Sequence, residues 1–225
     1  MAAHLDLEEQ EQLEQFKHFW KQYGNPITWL LIAALGAYGA FNGWQYWQRS
    51  QALQASALYD AIEQAAAAGD MARVEQAFKD IRDKYGRTSY AQQAGLLAGK
   101  ALADKGQADA AQAALQWVAS DAGDAGYQAL ARLRLAALLV QAKKYDEALQ
   151  QLAGSMPSAF EPLAADRRGD IYSLQGKKDQ ARAEYTRSWK GLPADSAYRT
   201  LVEVKLTALG VDVATLKSAA EGAKP

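Results

Sequence analysis

The chain has 225 residues, and 25 basic residues against 26 acidic ones leave a formal net charge of -1. That balance excludes a bulk electrostatic grip on nucleic acid, which needs a strongly basic domain. Cysteine is absent, histidine occurs only at His4 and His18, and asparagine only at Asn25 and Asn42, so disulfides, thiol nucleophiles and Cys-ligated metal are excluded and imidazole chemistry is missing after residue 50. No catalytic site, cofactor or metal is expected.

The first 26 residues hold five acids and two lysines. Leu5-Asp6-Leu7-Glu8-Glu9 reads as a helix start in which Asp6 caps and Glu9 reaches back. Leu13, Phe16, Trp20 and Tyr23 then share one helical face. A tail of residues 1–25 with a short amphipathic helix follows, suited to a membrane surface or a protein partner.

Between Lys21 and Arg49 stand 27 residues without a charge. As a helix they would measure ~40 Å at ~1.5 Å per residue, against ~30 Å of hydrocarbon. Trp29 at one end and Trp44, Tyr46 and Trp47 at the other lie where two interfacial aromatic belts would be. Pro26 is expected at the helix start, where a missing N–H does no harm. The prediction is a single transmembrane helix over 26–48. A cleaved signal peptide competes, with small residues at Ala37-Tyr38-Gly39, but the leader is long and acidic where a signal peptide has a short basic one. Lys17 and Lys21 flank one side and Arg49 alone the other, which predicts a cytoplasmic N-terminus. In a Gram-negative bacterium the remainder would then be periplasmic. Gly36, Gly39, Ala40 and Gly43 form a small-residue face that would let another helix approach closely.

After residue 50 no stretch alternates like a strand, so the rest reads as all helix. Gly169, Tyr172, Gly176, Ala181 and Tyr185 have spacings that recur in Gly99, Leu102, Gly106, Ala111 and Leu115. They recur again in Ala136, Leu139, Lys143, Ala148 and Leu152, and more weakly in Ile62, Ala65, Gly69, Val74 and Phe78. Successive copies lie 37, 37 and 33 residues apart, close to the tetratricopeptide period of about 34. The small residue at Gly99 or Gly169 would let paired helices come close. Gly106 and Gly176 would end the first helix in a left-handed turn, and Ala111, Ala148 and Ala181 would sit at the crossing. Helix pairs are expected near 51–84, 89–120, 126–154 and 161–191, followed by a capping helix near 195–208 and a short one after Asp212. The fold class is all-α: one N-terminal transmembrane helix followed by a tetratricopeptide-like α-solenoid. The repeat domain spans 49–221 and a disordered tail 222–225.

The repeat domain offers no nucleophile–histidine pair and no glycine-rich phosphate loop. Asp166 and Asp170 share a helix face, with Arg167 and Arg168 between them, and read as a solvated or salt-bridged surface. The first helix of each pair lines the concave face of such a solenoid. Its candidate contacts are Gln93, Leu96, Lys100, Leu130, Leu133, Ala137, Leu163, Asp166, Asp170 and Leu174. This mixed apolar and charged groove suits an extended peptide or another protein, while the absence of asparagine disfavours a carboxylate clamp for chaperone C-termini.

Three stretches carry a resemblance. They are Gln15-Phe16-Lys17-His18-Phe19-Trp20 leading to Asn25, then Gly43-Trp44-Gln45-Tyr46-Trp47, and Ala165-Asp166-Arg167-Arg168-Gly169-Asp170 followed by Gly176 and Ala181-Arg182. In this order, and over nearly the whole chain, the sequence resembles the YfgM family of ancillary SecYEG translocon subunits. The resemblance implies a non-enzymatic, membrane-anchored periplasmic scaffold of the bacterial inner membrane, chaperone-like, assisting secreted polypeptides as they emerge. It implies SecYEG and a PpiD-like periplasmic chaperone as partners, and no catalytic or ligand residues. The alternative is a cleaved, soluble periplasmic adaptor binding another envelope protein. Arg168 departs from the more apolar residue expected before Gly169.

Overall fold

The computed structural model describes the backbone of residues 7–154 and 156–216. Among these residues every regular element is a helix: α1 Leu7–Ala68, α2 Met71–Tyr85, α3 Ser89–Asp104, α4 Ala108–Asp121, α5 Ala125–Gln141, α6 Tyr145–Ala153, α7 Glu161–Leu174, α8 Lys178–Gly191 and α9 Ala197–Ala208. The expected cap at Asp6 and the tail at 222–225 lie outside the described residues. The chain divides into two compact units, Met1–Gln51 and Ala52–Pro225.

The first unit consists of the N-terminal part of α1. Trp29, Leu30, Leu31, Ile32, Leu35, Tyr38 and Phe41 are all exposed. Large apolar side chains left open around a helix suit a lipid solvent, not water. Among the described residues this is the one helix long and apolar enough to cross a membrane. Pro26 lies inside α1, not at its start, and the helix runs unbroken past residues 25 and 48. A proline inside a helix removes one backbone bond. The carbonyl left without its usual donor is that of Gln22, four residues back; the Thr28 Oγ1 donates to a different carbonyl, that of Gly24, at 2.8 Å. Change of solvent along a helix needs no break in its hydrogen bonding, which is why composition boundaries and helix ends differ here.

The second unit, which includes residues 52–68 of α1, is a stack of helix pairs. Local chemistry starts the helices: Asp70 caps α2, Thr88 caps α3, and Asp124 caps α5 by accepting from the Gly126 and Tyr127 amides. The turns inside the pairs repeat a single hydrogen bond. The amides of Asp70, Gln107, Lys144 and Lys177 donate to the carbonyls of Ala65, Leu102, Leu139 and Tyr172 at 2.8–2.9 Å. These acceptors are the second position of each sequence copy. The third position takes the left-handed backbone, with φ of 74° at Gly69, 77° at Gly106, 59° at Lys143 and 73° at Gly176. This is the Schellman closure, in which a left-handed residue lets orphan carbonyls find donors.

A fifth turn of the same kind was not among the sequence copies. The Val211 amide donates to the Leu206 carbonyl, and Gly210 has φ of 80°. Leu206 and Gly210 stand one period after Tyr172 and Gly176. Thus α9 is the first helix of a fifth, degenerate repeat, where the sequence suggested only a cap.

Packing follows the small residues. A Cβ added at Gly99 would lie 2.6 Å from Leu115, and one at Gly169 would lie 2.5 Å from the Tyr185 ring. Ala111, Ala148 and Ala181 are fully buried. Three core clusters run along the stack: one joins Ile62, Val74, Phe78 and Leu102, the next Leu115, Leu135, Leu152 and Ile171, and the last Tyr185, Trp189, Val202 and Leu206.

Candidate interaction surface

The first helices of successive pairs neighbour each other: α3 touches α5, and α5 touches α7. They form one face. Lys100, Ala137 and Leu174 are exposed on it, Leu174 at 58%. Gln93, Leu130, Leu133, Leu163 and Asp170 are partly buried. Leu130 and Leu133 pack against the central core cluster.

Two expected contacts are corrected. Leu96 is only 5% exposed and belongs to the core. Asp166 is fully buried. Its carboxylate accepts from Lys205 Nζ at 2.8 and 2.9 Å and from Tyr198 Oη at 2.6 Å. Lys205 also donates to Asp170 Oδ1 at 2.7 Å, and Tyr185 Oη donates to the same oxygen at 2.8 Å. A buried carboxylate needs such partners, since desolvation without them is costly. The cluster ties α9 to α7 and α8. Burial, and then hydrogen bonding to the two aspartates, pushes the Tyr185 and Tyr198 phenols upward from their ordinary value.

Between α5 and α7 opens a cleft of about 460 Å³. Ala136, Ala137, Val140 and Ile171 supply apolar walls, Leu174 stands at the lining, and Arg167 and Asp170 add charge. Arg167, exposed, lies 3.4 Å from the partly buried Asp170, a long contact worth little energetically. The cleft can accept an apolar side chain from an extended segment. Sequence reasoning placed Ala137, Asp170 and Leu174 here but missed Val140 and Arg167, which lie one turn along from residues it chose.

Arg168, the departure before Gly169, is a structural hub. Its guanidinium donates to Glu161 at 2.7 Å, to Glu184 at 2.8 Å and to the Leu152 carbonyl at 2.8 Å. One long cation therefore satisfies groups on α6, α7 and α8. Three tyrosines, Tyr59, Tyr90 and Tyr127, come from α1, α3 and α5 and were also not singled out. The Tyr59 and Tyr90 rings lie 6.0 Å apart, and Gln93 Nε2 donates to Tyr127 Oη at 2.8 Å. Their signal in the sequence was position: each lies on the first helix of a pair.

In the first unit, a Cβ added at Gly36, Gly39 or Gly43 meets nothing within 4 Å. Asn42 donates to the Tyr38 carbonyl at 2.8 Å, so its polar amide is bonded along the same helix.

Stacked helix pairs, left-handed turns at the repeat period and a shared first-helix face define a tetratricopeptide-like repeat protein that also carries one candidate membrane helix. The family profile described as tetratricopeptide repeat-like domain matches residues 17–211. A Neisseria gonorrhoeae protein named ancillary SecYEG translocon subunit is 36% identical over 93% of this chain and 100% of its own length. Escherichia coli and Haemophilus influenzae proteins of the same name are 28% and 29% identical, over 90% and 80% of this chain and 97% and 87% of theirs. The chain belongs to this YfgM family of ancillary SecYEG translocon subunits.

Proposed function

We propose that the protein is a non-enzymatic, single-pass accessory subunit of the SecYEG translocon in the bacterial inner membrane. The span of residues 26–48 anchors it, the tail of residues 1–25 is cytoplasmic, and the repeat domain of 49–221 is periplasmic. There its first-helix face serves as a scaffold and chaperone-like surface beside the channel, contacting a PpiD-like chaperone and polypeptides as they emerge. The single observation that carries the reading is 36% identity to a translocon subunit over the entire length of that relative. The exposed apolar span supports the anchor, and Lys17 and Lys21 against Arg49 support the orientation.

Crosslinking in intact membranes, followed by identification of partners, tests the assignment. Recovery of SecY with the protein is expected, and its absence sinks the reading. Protease added to spheroplasts should digest the repeat domain and spare the tail; full protection of the repeat domain overturns the topology. An intact mass of 24.5 kDa separates the anchored form from a cleaved soluble adaptor.

A further inference from the structure

At the C-terminal end of the repeat stack, the tyrosines Tyr185 and Tyr198 and the carboxylates of Asp166 and Asp170 surround one cation. Lys205 Nζ lies 5.3 Å from the Tyr185 ring centroid and bonds both carboxylates. The nearby Arg199 guanidinium lies 4.0 Å over the Trp189 ring, whose Nε1 donates to Glu203. Aromatic faces carry negative potential and attract cations, most of all where a carboxylate is close.

The N-terminal end presents the same chemistry without the cation. The Tyr59 and Tyr90 rings pack against each other from two successive first helices, and Gln93, one turn beyond Tyr90, donates to Tyr127 of the third. Tyr90 is 36% exposed, and Asp60 and Glu63 are exposed on the turn of α1 that holds Tyr59. The charged groups acting on the Tyr59 phenol are Glu63 and Asp60, and together with burial, the largest cause, they push it upward. Neither carboxylate forms an ion pair with a basic side chain among the described residues. Of the cations on the adjacent first helices, Lys100 pairs with Asp104 and Arg134 donates to the Leu96 carbonyl.

We propose that Tyr59, Tyr90 and Tyr127, with Asp60 and Glu63, form a docking surface for an extended polypeptide segment bearing an arginine. The guanidinium stacks on a tyrosine ring and pairs with the carboxylates. Arginine fits better than lysine because its planar fork can stack and bond at once. The inference rests on the reading of the first-helix face as an interaction surface and is independent of the translocon assignment.

The test uses the full chain in detergent micelles and a short fluorescein-labelled peptide of alternating proline and arginine, which holds an extended conformation. Fluorescence anisotropy measures binding. The counterpart with citrulline, neutral but of the same shape, should bind ~10-fold more weakly, as should the Asp60→Asn, Glu63→Gln double variant. Both acids are exposed, so that variant should keep the parent melting curve. A control variant, Asp109→Asn with Asp121→Asn on α4, should bind like the parent and excludes a mere effect of net charge. Failure of the arginine peptide to bind, equal binding of the citrulline peptide, or equal weakening by the control variant would each overturn the proposal. SecY crosslinking of the Asp60→Asn, Glu63→Gln variant is measured alongside. If the parent chain fails to crosslink SecY, the translocon reading falls while the peptide result stands.

Discussion

Gly169 has no room for a side chain. A Cβ there would lie 2.5 Å from Tyr185 ring atoms, and that ring is itself held by Asp170. The ring cannot swing aside without breaking that bond. Gly169→Leu should therefore lower stability by at least ~1–3 kcal/mol, the usual range for overpacking; an unchanged thermal melt would mean that α7 and α8 are not packed this way. Lys143 poses the opposite case. It holds φ of 59° at the turn where three sister copies use glycine, a conformation costing roughly 1–2 kcal/mol for a residue with a Cβ. Glycine loses more backbone freedom on folding, which offsets part of the relief. Lys143→Gly should raise stability by ~0.5–1 kcal/mol, read as a higher melting temperature. The sequence showed this position only as a mismatch in the repeat. That the mismatch strains the backbone follows from the closure bond between Lys144 and Leu139, which forces the same turn on whatever residue stands there.

At the scale of elements, α9 is where sequence and structure part furthest. Period-matching found four copies and left α9 as a cap, because Leu206 and Gly210 alone preserve the pattern in the fifth. The buried Asp166–Lys205 contact, which no pattern spacing reports, joins it to the stack. Tyr185 and Tyr198 give this docking a pH signature. In the unfolded chain each ionises near the ordinary value of 10.0, whereas burial and the aspartates hold both protonated to higher pH in the fold. Over that window the folded chain binds more protons than the unfolded one, so stability declines as pH rises. The stabilisation is fully present below pH 10 and is lost upward through the raised values. Thermal melts between pH 9 and pH 11 should show the decline, and Tyr198→Phe should flatten it. An identical slope in that variant would show that Tyr198 does not titrate with folding.

For the whole molecule, we propose that the span sets where the repeat domain works and that its small-residue face bears on partner choice. Between helices in lipid there is little hydrophobic drive, so close packing across small residues favours association. Gly36, Gly39 and Gly43 leave that face open in this chain. Replacing Gly39 and Gly43 with Leu should preserve insertion, since Leu is more apolar, yet weaken co-purification with the translocon. A polyleucine span of equal length is the comparison. If both altered spans co-purify like the parent, the repeat domain carries the association and the glycines are only composition.

The sequence by itself determined the all-helical class, the uncharged span, the repeat period and the family, since each depends on residue types at short, regular separations. Helix pairs were legible because Gly99, Gly169 and the alanines act within their own repeat. The tertiary structure alone decided that Leu96 and Asp166 are interior, that Arg168 bridges three helices, and that Lys205 reaches Asp166 across 39 residues of chain. It also brought Tyr59, Tyr90 and Tyr127 to one face. A helix face is a stripe of residues, and which part of it is covered depends on the helices stacked beside it. Local periodicity carries no record of that neighbour, whereas burial, charge pairing and the candidate surface are all set by it.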